Sequence, residues 1–426
     1  MRRIYMDANA TTPLLPEVFE AMRPFFLEHY GNASSIHQQG QYARAAVDHA
    51  RDAIAHLLHC RTSEIVFTSG GTESDNLALF GTLESSSTGE PAHLITTSIE
   101  HHAVLHAAEY IEKNNGAIST DTALSRDVAL RNTEVTFLPC TPQGLIEPAA
   151  LQAALRPNTK LVSIMFANNE TGVIQPIAEL ASIAHAAGAL FHTDAVQAAG
   201  KLPLDLSPKG PLRDVDLLTL SGHKIYAPKG IGVLFVRRNV RLAPMLHGGT
   251  HERQRRAGTE NVAGIVGLGK AAELANAWLS EDNIADGPTH LAVLRDRLEQ
   301  GILAQVEECG VNGAGAPRVS NTTNLYFDHV EAEALVIALD LKGLSVSGGS
   351  ACQSGATEPS HVLTAMGLTP ARARASIRFS LSRLTTAEEI DYALTLIPAA
   401  VARLRDLSPT WRKPEAIEAG QELKTD

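Results

Sequence analysis

Five stretches of the 426-residue chain carry side chains able to do chemistry. In IVFTSGGTESDNLAL an apolar run gives way to Ser69, Gly70, Gly71 and Thr72, then to a helical pattern opening with Thr72, Glu73, Ser74 and Asp75. Such a strand-to-helix turn exposes backbone N–H groups where a phosphate can sit. An ordinary turn with a capping box has the same appearance, and no Gly-Lys-Ser/Thr follows to make it a nucleoside-triphosphate loop. In ALFHTDAVQAAG an apolar run ends on Asp194, and in DLLTLSGHKIYAPKGIG another ends on Ser221, Gly222, His223 and Lys224. A lysine after a strand is ordinarily a solvated loop residue. A phosphate cradle, a strand-end acid and a strand-end lysine, in this order, are the groups pyridoxal phosphate needs. The lysine forms a Schiff base with its aldehyde, and the acid keeps its pyridine nitrogen protonated.

The fourth stretch, SIEHHAV, places His101 and His102 after a further strand, and one of them could lay its flat ring on the cofactor. A satisfied core or surface histidine would look the same. The fifth, VSGGSACQSGATEPSHVL, surrounds Cys352 with Gly348, Gly349, Ser350, Ser354 and Gly355, where a thiol can be exposed and move. A structural cysteine sits instead within apolar periodicity. Cys60 and Cys309, at or near the ends of helical patterns, and Cys140, beside Pro139, read as packing residues. The four cysteines form no CxxC pair, and no HExxH or comparable cluster occurs, so neither a disulfide framework nor an intrinsic metal site is expected.

These residues need elements to hold them. Short β-rich runs over 64–68, 93–97, 161–166, 189–193 and 217–220 alternate with helical patterns, which predicts an α/β fold on a mostly parallel sheet. The clearest helix spans 40–58, where Ala43, Ala46, Val47, Ala50, Ile54, Leu57 and Leu58 recur at three- and four-residue spacing. A polar stretch with a Gly-Pro over 279–291 marks a domain boundary, and 409–426 reads as a loosely held polar tail. No internal repeat is present. With 44% hydrophobic residues the chain fills more than one core, and a net charge of -11 leaves no cationic field for nucleic acid or anionic lipid. The opening MRRIYMDANATT lacks an apolar targeting segment and no run reaches the roughly 18 residues of a membrane span, so a cytoplasmic location is expected.

Together the motifs YMDANATTPL, GNASSIH, TSGGTESDN, EHHAV, ANNETGVIQP, HTDAVQAAGK, SGHKIYAPKGIG, HGGTHERQRRAGTENV, SGGSACQSG, EPSHVLTAMG and SIRFSLSR span nearly the whole chain. They resemble the cysteine desulfurases of the class V aminotransferase group, within the fold-type I pyridoxal-phosphate enzymes and close to the bacterial IscS and NifS desulfurases. The resemblance implies a large cofactor-binding domain over 14–280 with a seven-stranded sheet. It also implies a smaller α+β domain from 1–13 and 281–408 that carries a mobile Cys352 loop. Lys224 would be the cofactor lysine and Asp194 the partner of the pyridine nitrogen. Gly71, Thr72, Ser221 and His223 would hold the phosphate, with Thr259 reaching in from the other subunit of a homodimer. Asn169 and Gln197 would lie at the cofactor's phenolic oxygen, His101 on its ring, and Arg378 with Asn32 on the substrate carboxylate.

The implied reaction takes sulfur from L-cysteine, leaving L-alanine and a persulfide on Cys352. That persulfide is passed to an acceptor such as an iron–sulfur scaffold, where Cys352 could transiently ligate a shared cluster. GNASS in place of the common GNPSS, TSGGTE in place of TSGATE, and insertions over 120–131 and 207–213 depart from the family pattern. A selenocysteine lyase or aminotransferase of the same group, and a non-catalytic scaffold, remain as alternatives. Cys352 speaks against a simple transaminase, and the intact Lys224, Asp194 and Cys352 speak against a scaffold.

Overall fold

The computed structural model describes residues 3–86, 91–115, 132–280, 287–348 and 359–411. After a short strand β1 (Ile4–Tyr5), seven strands build the main sheet: β2 (Ile65–Thr68), β3 (Ala92–Thr97), β4 (Thr133–Leu138), β5 (Thr159–Ser163), β6 (Leu190–Asp194), β7 (Leu217–Ser221) and β8 (Gly232–Val236). Their order is β2-β8-β7-β6-β5-β3-β4, all neighbours parallel except β8, which runs antiparallel to both β2 and β7. Every residue of β2, β7 and β8 is buried, which is why these runs are mostly apolar on both faces rather than alternating with charged residues.

One face of the sheet is covered by helices that include Gln38–Leu57 and Val262–Leu279, the other by Gly71–Ser85 and His102–Asn114. The helix expected over 40–58 thus runs from Gln38 to Leu57, and His37 Nδ1 caps it by accepting from Gly40 N at 3.2 Å. The run expected over 161–166 ends as a strand at Ser163. Its backbone still pairs beyond that point, with Ile164 N donating to His192 O and Phe166 N to Asp194 O.

A second, antiparallel sheet follows: β9 (Cys309–Val311), β10 (Thr322–Phe327), β12 (Ser347–Gly348) and β13 (Ser376–Ser380), in the order β12-β13-β10-β9. Strand β11 (Leu344–Ser345) pairs in parallel with β1. Helices Pro288–Gln305, Ala332–Asp340 and Ala387–Leu407 pack on this sheet, and Ile4 and Met6 are buried in the same core. Asp7 and Asn9 are thereby carried from the second sheet to the edge of the first.

Of the two expected insertions, 120–131 lies outside the described residues. Residues 207–213 form a compact turn held by the Arg237 guanidinium, which donates to Leu206 O and Leu212 O, with Leu212 buried. The start of the expected tail is not loose. Trp411 lies under the Arg405 guanidinium at 4.5 Å and beside His329, whereas 412–426 are outside the described residues. No helix among the described residues is long and apolar enough to cross a membrane.

Candidate active site

A cavity of about 320 Å³ opens at the carboxyl ends of the parallel strands, the usual position for a ligand in an open α/β sheet. Each strand delivers its chemistry at its last residue or just beyond. Gly71 and Thr72 follow β2, His101 follows β3, Asn169 follows β5, Asp194 ends β6 with Gln197 after it, and Ser221 ends β7. His223 and Lys224 lie in the 3-10 turn Gly222–Lys224 that continues β7, and Arg378 enters from β13 of the second sheet.

Lys224 Nζ donates to the carbonyl oxygens of Asn9 and Ala10, the latter at 2.8 Å, so the N-terminal segment sets its position. Asp194 is 5% exposed and its Oδ1 accepts from Val196 N at 2.9 Å. A second carboxylate, Asp75 on the helix Gly71–Ser85, is buried beside it. Burial raises both acids, and their mutual repulsion raises Asp75 further, whereas Lys224 favours the charged form of Asp194. Of the two, Asp194 is the one whose charged form the site favours, and Asp75 is pushed the further toward its neutral form. Asp75 lies 3.6 Å from His192 Nε2, but burial holds His192 down at about 3, so the imidazole is neutral and the contact is no ion pair.

His101 accepts from Ala103 N through Nδ1, which fixes Nε2 as the protonated nitrogen and caps the helix His102–Asn114. Burial, then Lys224, holds His101 neutral with a pKa of about 4, and His223 is held at about 4 by the same two causes in that order. The structure also chooses between the two adjacent histidines. His101 lines the cavity, while His102 stacks outside it between His106 and His361, at ring separations of 4.6 and 4.8 Å.

The cavity fits a pyridoxal phosphate. The helix Gly71–Ser85 starts behind Gly70, which offers no side-chain cap, so its N-terminal end is open to an anion. Glu73 instead accepts from Ser69 N at 2.8 Å. A Cβ on Gly71 would stand 3.1 Å from Val196 Cγ2 and 3.6 Å from Ser221 Cβ, so the glycine keeps the cradle open. Among the described residues, Asn169 Oδ1 and Arg378 Nε are buried without a hydrogen-bond partner although both residues line the cavity. Natural proteins rarely leave such groups orphaned unless a ligand completes them. Arg378 is otherwise anchored, donating to Asp7 Oδ1 at 2.8 Å and to Asn169 O at 3.0 Å.

Two expected site residues are not in this cavity, and a third, Cys352, lies outside the described residues. Asn32 and Thr259 are both exposed and neither lines the cavity. Their segments adjoin each other on the surface, since Ser34 Oγ is 3.3 Å from His251 Nε2 and His251 is 3.8 Å from Glu260. Conversely, Asn9, Asp75 and Lys201 were given no role by the sequence. Asn9 and Asp75 lie within the quoted motifs YMDANATTPL and TSGGTESDN and Lys201 ends HTDAVQAAGK, so position in a motif was the available signal. The remaining cysteines are poor nucleophiles. Burial pushes Cys60 up to about 12 and raises Cys140 and Cys309.

Residues 4–393 match the aminotransferase class-V family model. The chain is 45% identical over 421 residues to a cysteine desulfurase of Gluconacetobacter diazotrophicus, covering 99% of this chain and 98% of that protein. It is also 45% identical over 408 residues to a cysteine desulfurase IscS of Methanosarcina thermophila, covering 96% and 94%. A solved NifS-like protein superposes with a TM-score of 0.81 at 34% identity, covering 94% of this chain and all of that one. With its lysine, acid and anion cradle on one cavity, the chain belongs to the class-V aminotransferase family and, within it, to the cysteine desulfurases.

Proposed function

We propose that this cavity binds pyridoxal 5′-phosphate through Lys224 and desulfurates L-cysteine with Cys352 as the sulfur-accepting thiol. The family to which the chain belongs is pyridoxal-phosphate dependent. The observation that carries the reading is the convergence on one cavity of Lys224, the charged Asp194, the uncapped helix end at Gly71 and the unsatisfied Arg378 Nε.

When bound, the cofactor draws away the electron pair left as cysteine loses its Cα proton. The residues do the rest. Gly71, Thr72, Ser221 and His223 hold the phosphate, and Asp194 keeps a proton on the ring nitrogen. Asn169 and Gln197 face the phenolic oxygen, and neutral His101 covers the ring. Arg378 takes the substrate carboxylate with its free Nε edge, orienting Cα toward Lys224 Nζ, which removes the proton. The Cys352 thiolate then bonds to the substrate sulfur. The carbon–sulfur electron pair stays on Cβ, which takes up a proton, Lys224 returns a proton to Cα, and the product leaves as L-alanine, while Cys352 keeps the sulfur as a persulfide.

Asn32 and Thr259, exposed on adjoining segments and away from their own cavity, are supplied to the cavity of the partner subunit in a homodimer. The persulfide passes to an acceptor protein, and the relative named IscS favours an iron–sulfur scaffold. The test is sulfide and alanine release from L-cysteine with a reductant, on wild type and Cys352→Ala, with absorption spectra recorded. The expected result is a cofactor band in both and turnover only in wild type. Comparable turnover by Cys352→Ala removes Cys352 as the nucleophile.

A further inference from the structure

Behind the cavity floor lies a second lysine. Lys201 keeps some exposure along its stem, but its ammonium end is surrounded by protein. Nζ donates to Gln197 Oε1 at 2.7 Å and, more weakly, to Asn9 Oδ1 at 3.4 Å. It also lines, together with Lys224, a small cavity of about 20 Å³, room for roughly one water molecule. Burying a charged amine here is costly, and burial, then Lys224 and Arg378, holds its pKa down to about 7.

The role of Lys201 follows from hydrogen-bond polarity. An ammonium group has three donors and no acceptor, whereas a primary amide carries an acceptor at one end and donors at the other. Protonated, Lys201 can therefore meet only the oxygen of Gln197, and the neutral amine that a pKa of about 7 also allows can still donate to it. That fixes the amide, and Nε2 must face the other way, where it donates to Asn9 O at 3.1 Å and keeps a second N–H toward the cavity that Gln197 lines. The same rule fixes Asn9: its Oδ1 faces Lys201 and Asn321 Nδ2, so its Nδ2 donates to Asn169 O and Thr322 Oγ1. Lys201 thus sets the direction of Gln197 and, with Asn321, that of Asn9, around the backbone carbonyls that hold Lys224 and Arg378.

We propose that Lys201 is a positioning residue for the desulfurase reaction, holding Gln197 so that its N–H, and not its carbonyl oxygen, is presented to the phenolic oxygen of the cofactor. This rests on the cofactor reading given above. A donor at that oxygen favours its anionic form, and a flipped amide would oppose it with a lone pair.

The experiment titrates the absorption band of the pyridoxal-phosphate-loaded enzyme against pH in wild type, Lys201→Met, Gln197→Ala and the double variant, with cofactor affinity read by fluorescence quenching. Lys201→Met is expected to raise the midpoint of the band by about half a pH unit or more. In the Gln197→Ala background it should move the midpoint less than half as far, because the amide it orients is gone. Lys201→Ala, which likewise offers Gln197 no donor, should raise the midpoint in the same direction and serves where the methionine variant does not fold. An unchanged midpoint in either variant, or an equal shift in both backgrounds, overturns the role of Lys201. A wild-type protein that takes up no cofactor overturns the cofactor reading itself and the role of Lys201 with it.

Discussion

The Ser360 hydroxyl donates to Glu170 Oε2 at 2.6 Å, and both residues are buried. Ser360 also caps the helix His361–Ala365 by accepting from Leu363 N. Next to it, His361 Nε2 donates to Glu100 O at 2.9 Å. The chain leaving residues 349–358 is therefore fastened to Glu170, the neighbour of Asn169, and to Glu100, the neighbour of His101.

Burial raises Glu170 to about 7, against the lowering influence of Ser360 and Arg378. A raised carboxyl binds its proton more tightly when folded, so its contribution is full below about 4.5 and is lost as pH rises through 7. Ser360→Ala removes a lowering partner and should cost about 1–3 kcal/mol, with the deficit widening above pH 7. Thermal melting of both proteins from pH 5 to 9 checks this, and a deficit that narrows with rising pH contradicts it.

Glu100 is raised to about 8 by burial, and its Oε2 has no hydrogen-bond partner among the described residues. By the same sign, stability is lost as pH rises from about 4.5 through 8. Glu100→Gln cannot ionise and should gain on wild type as pH rises across that window, by an amount on the order of 1.4 kcal/mol per pH unit of the shift it abolishes. Denaturant midpoints at pH 5 and 8.5 measure it.

Arg378 uses one edge of its guanidinium for Asp7 and Asn169 O, leaving Nε unsatisfied. Lysine has no planar fork with which to hold Asp7 and a substrate carboxylate together. Arg378→Lys is expected to raise KM for L-cysteine by about tenfold or more while the cofactor band persists. Steady-state kinetics with spectra separate this from loss of cofactor.

Asp194→Asn keeps the shape and can still accept from Val196 N, but it carries no charge. The variant should bind cofactor and lose about 100-fold or more in kcat. A variant within a few-fold of wild type would show that the ring nitrogen has another partner.

The α/β class, the large sheet and the strand ends were legible because a buried parallel strand is an unbroken apolar run, and its functional residue sits where that run stops. Asp194, Ser221 and Lys224 were found by this rule. The two-residue strands β11 and β12 were not, since pairing and not pattern defines them. Asn9 escaped for a related reason. Its importance arises from partners 160 to 371 residues away, Asn169, Gln197, Thr322, Asn321 and Ser380 among them, and no local spacing encodes that. Choosing His101 over His102 likewise needed His361, far along the chain, to occupy the flank of His102.

The segment around Asn9 imposes an order on biosynthesis. The carbonyls that hold Lys224 belong to Asn9 and Ala10, yet Ala8 and Asn9 are held by Ser380, which is translated 371 residues after Asn9. At roughly 5–20 residues per second, tens of seconds separate the two. During that time the main sheet can form but Lys224 lacks its seat. The nascent enzyme is thus unable to handle cysteine until Ser380 has been made, and slow elongation just ahead of Ser380 would delay activity without delaying the folding of the main sheet.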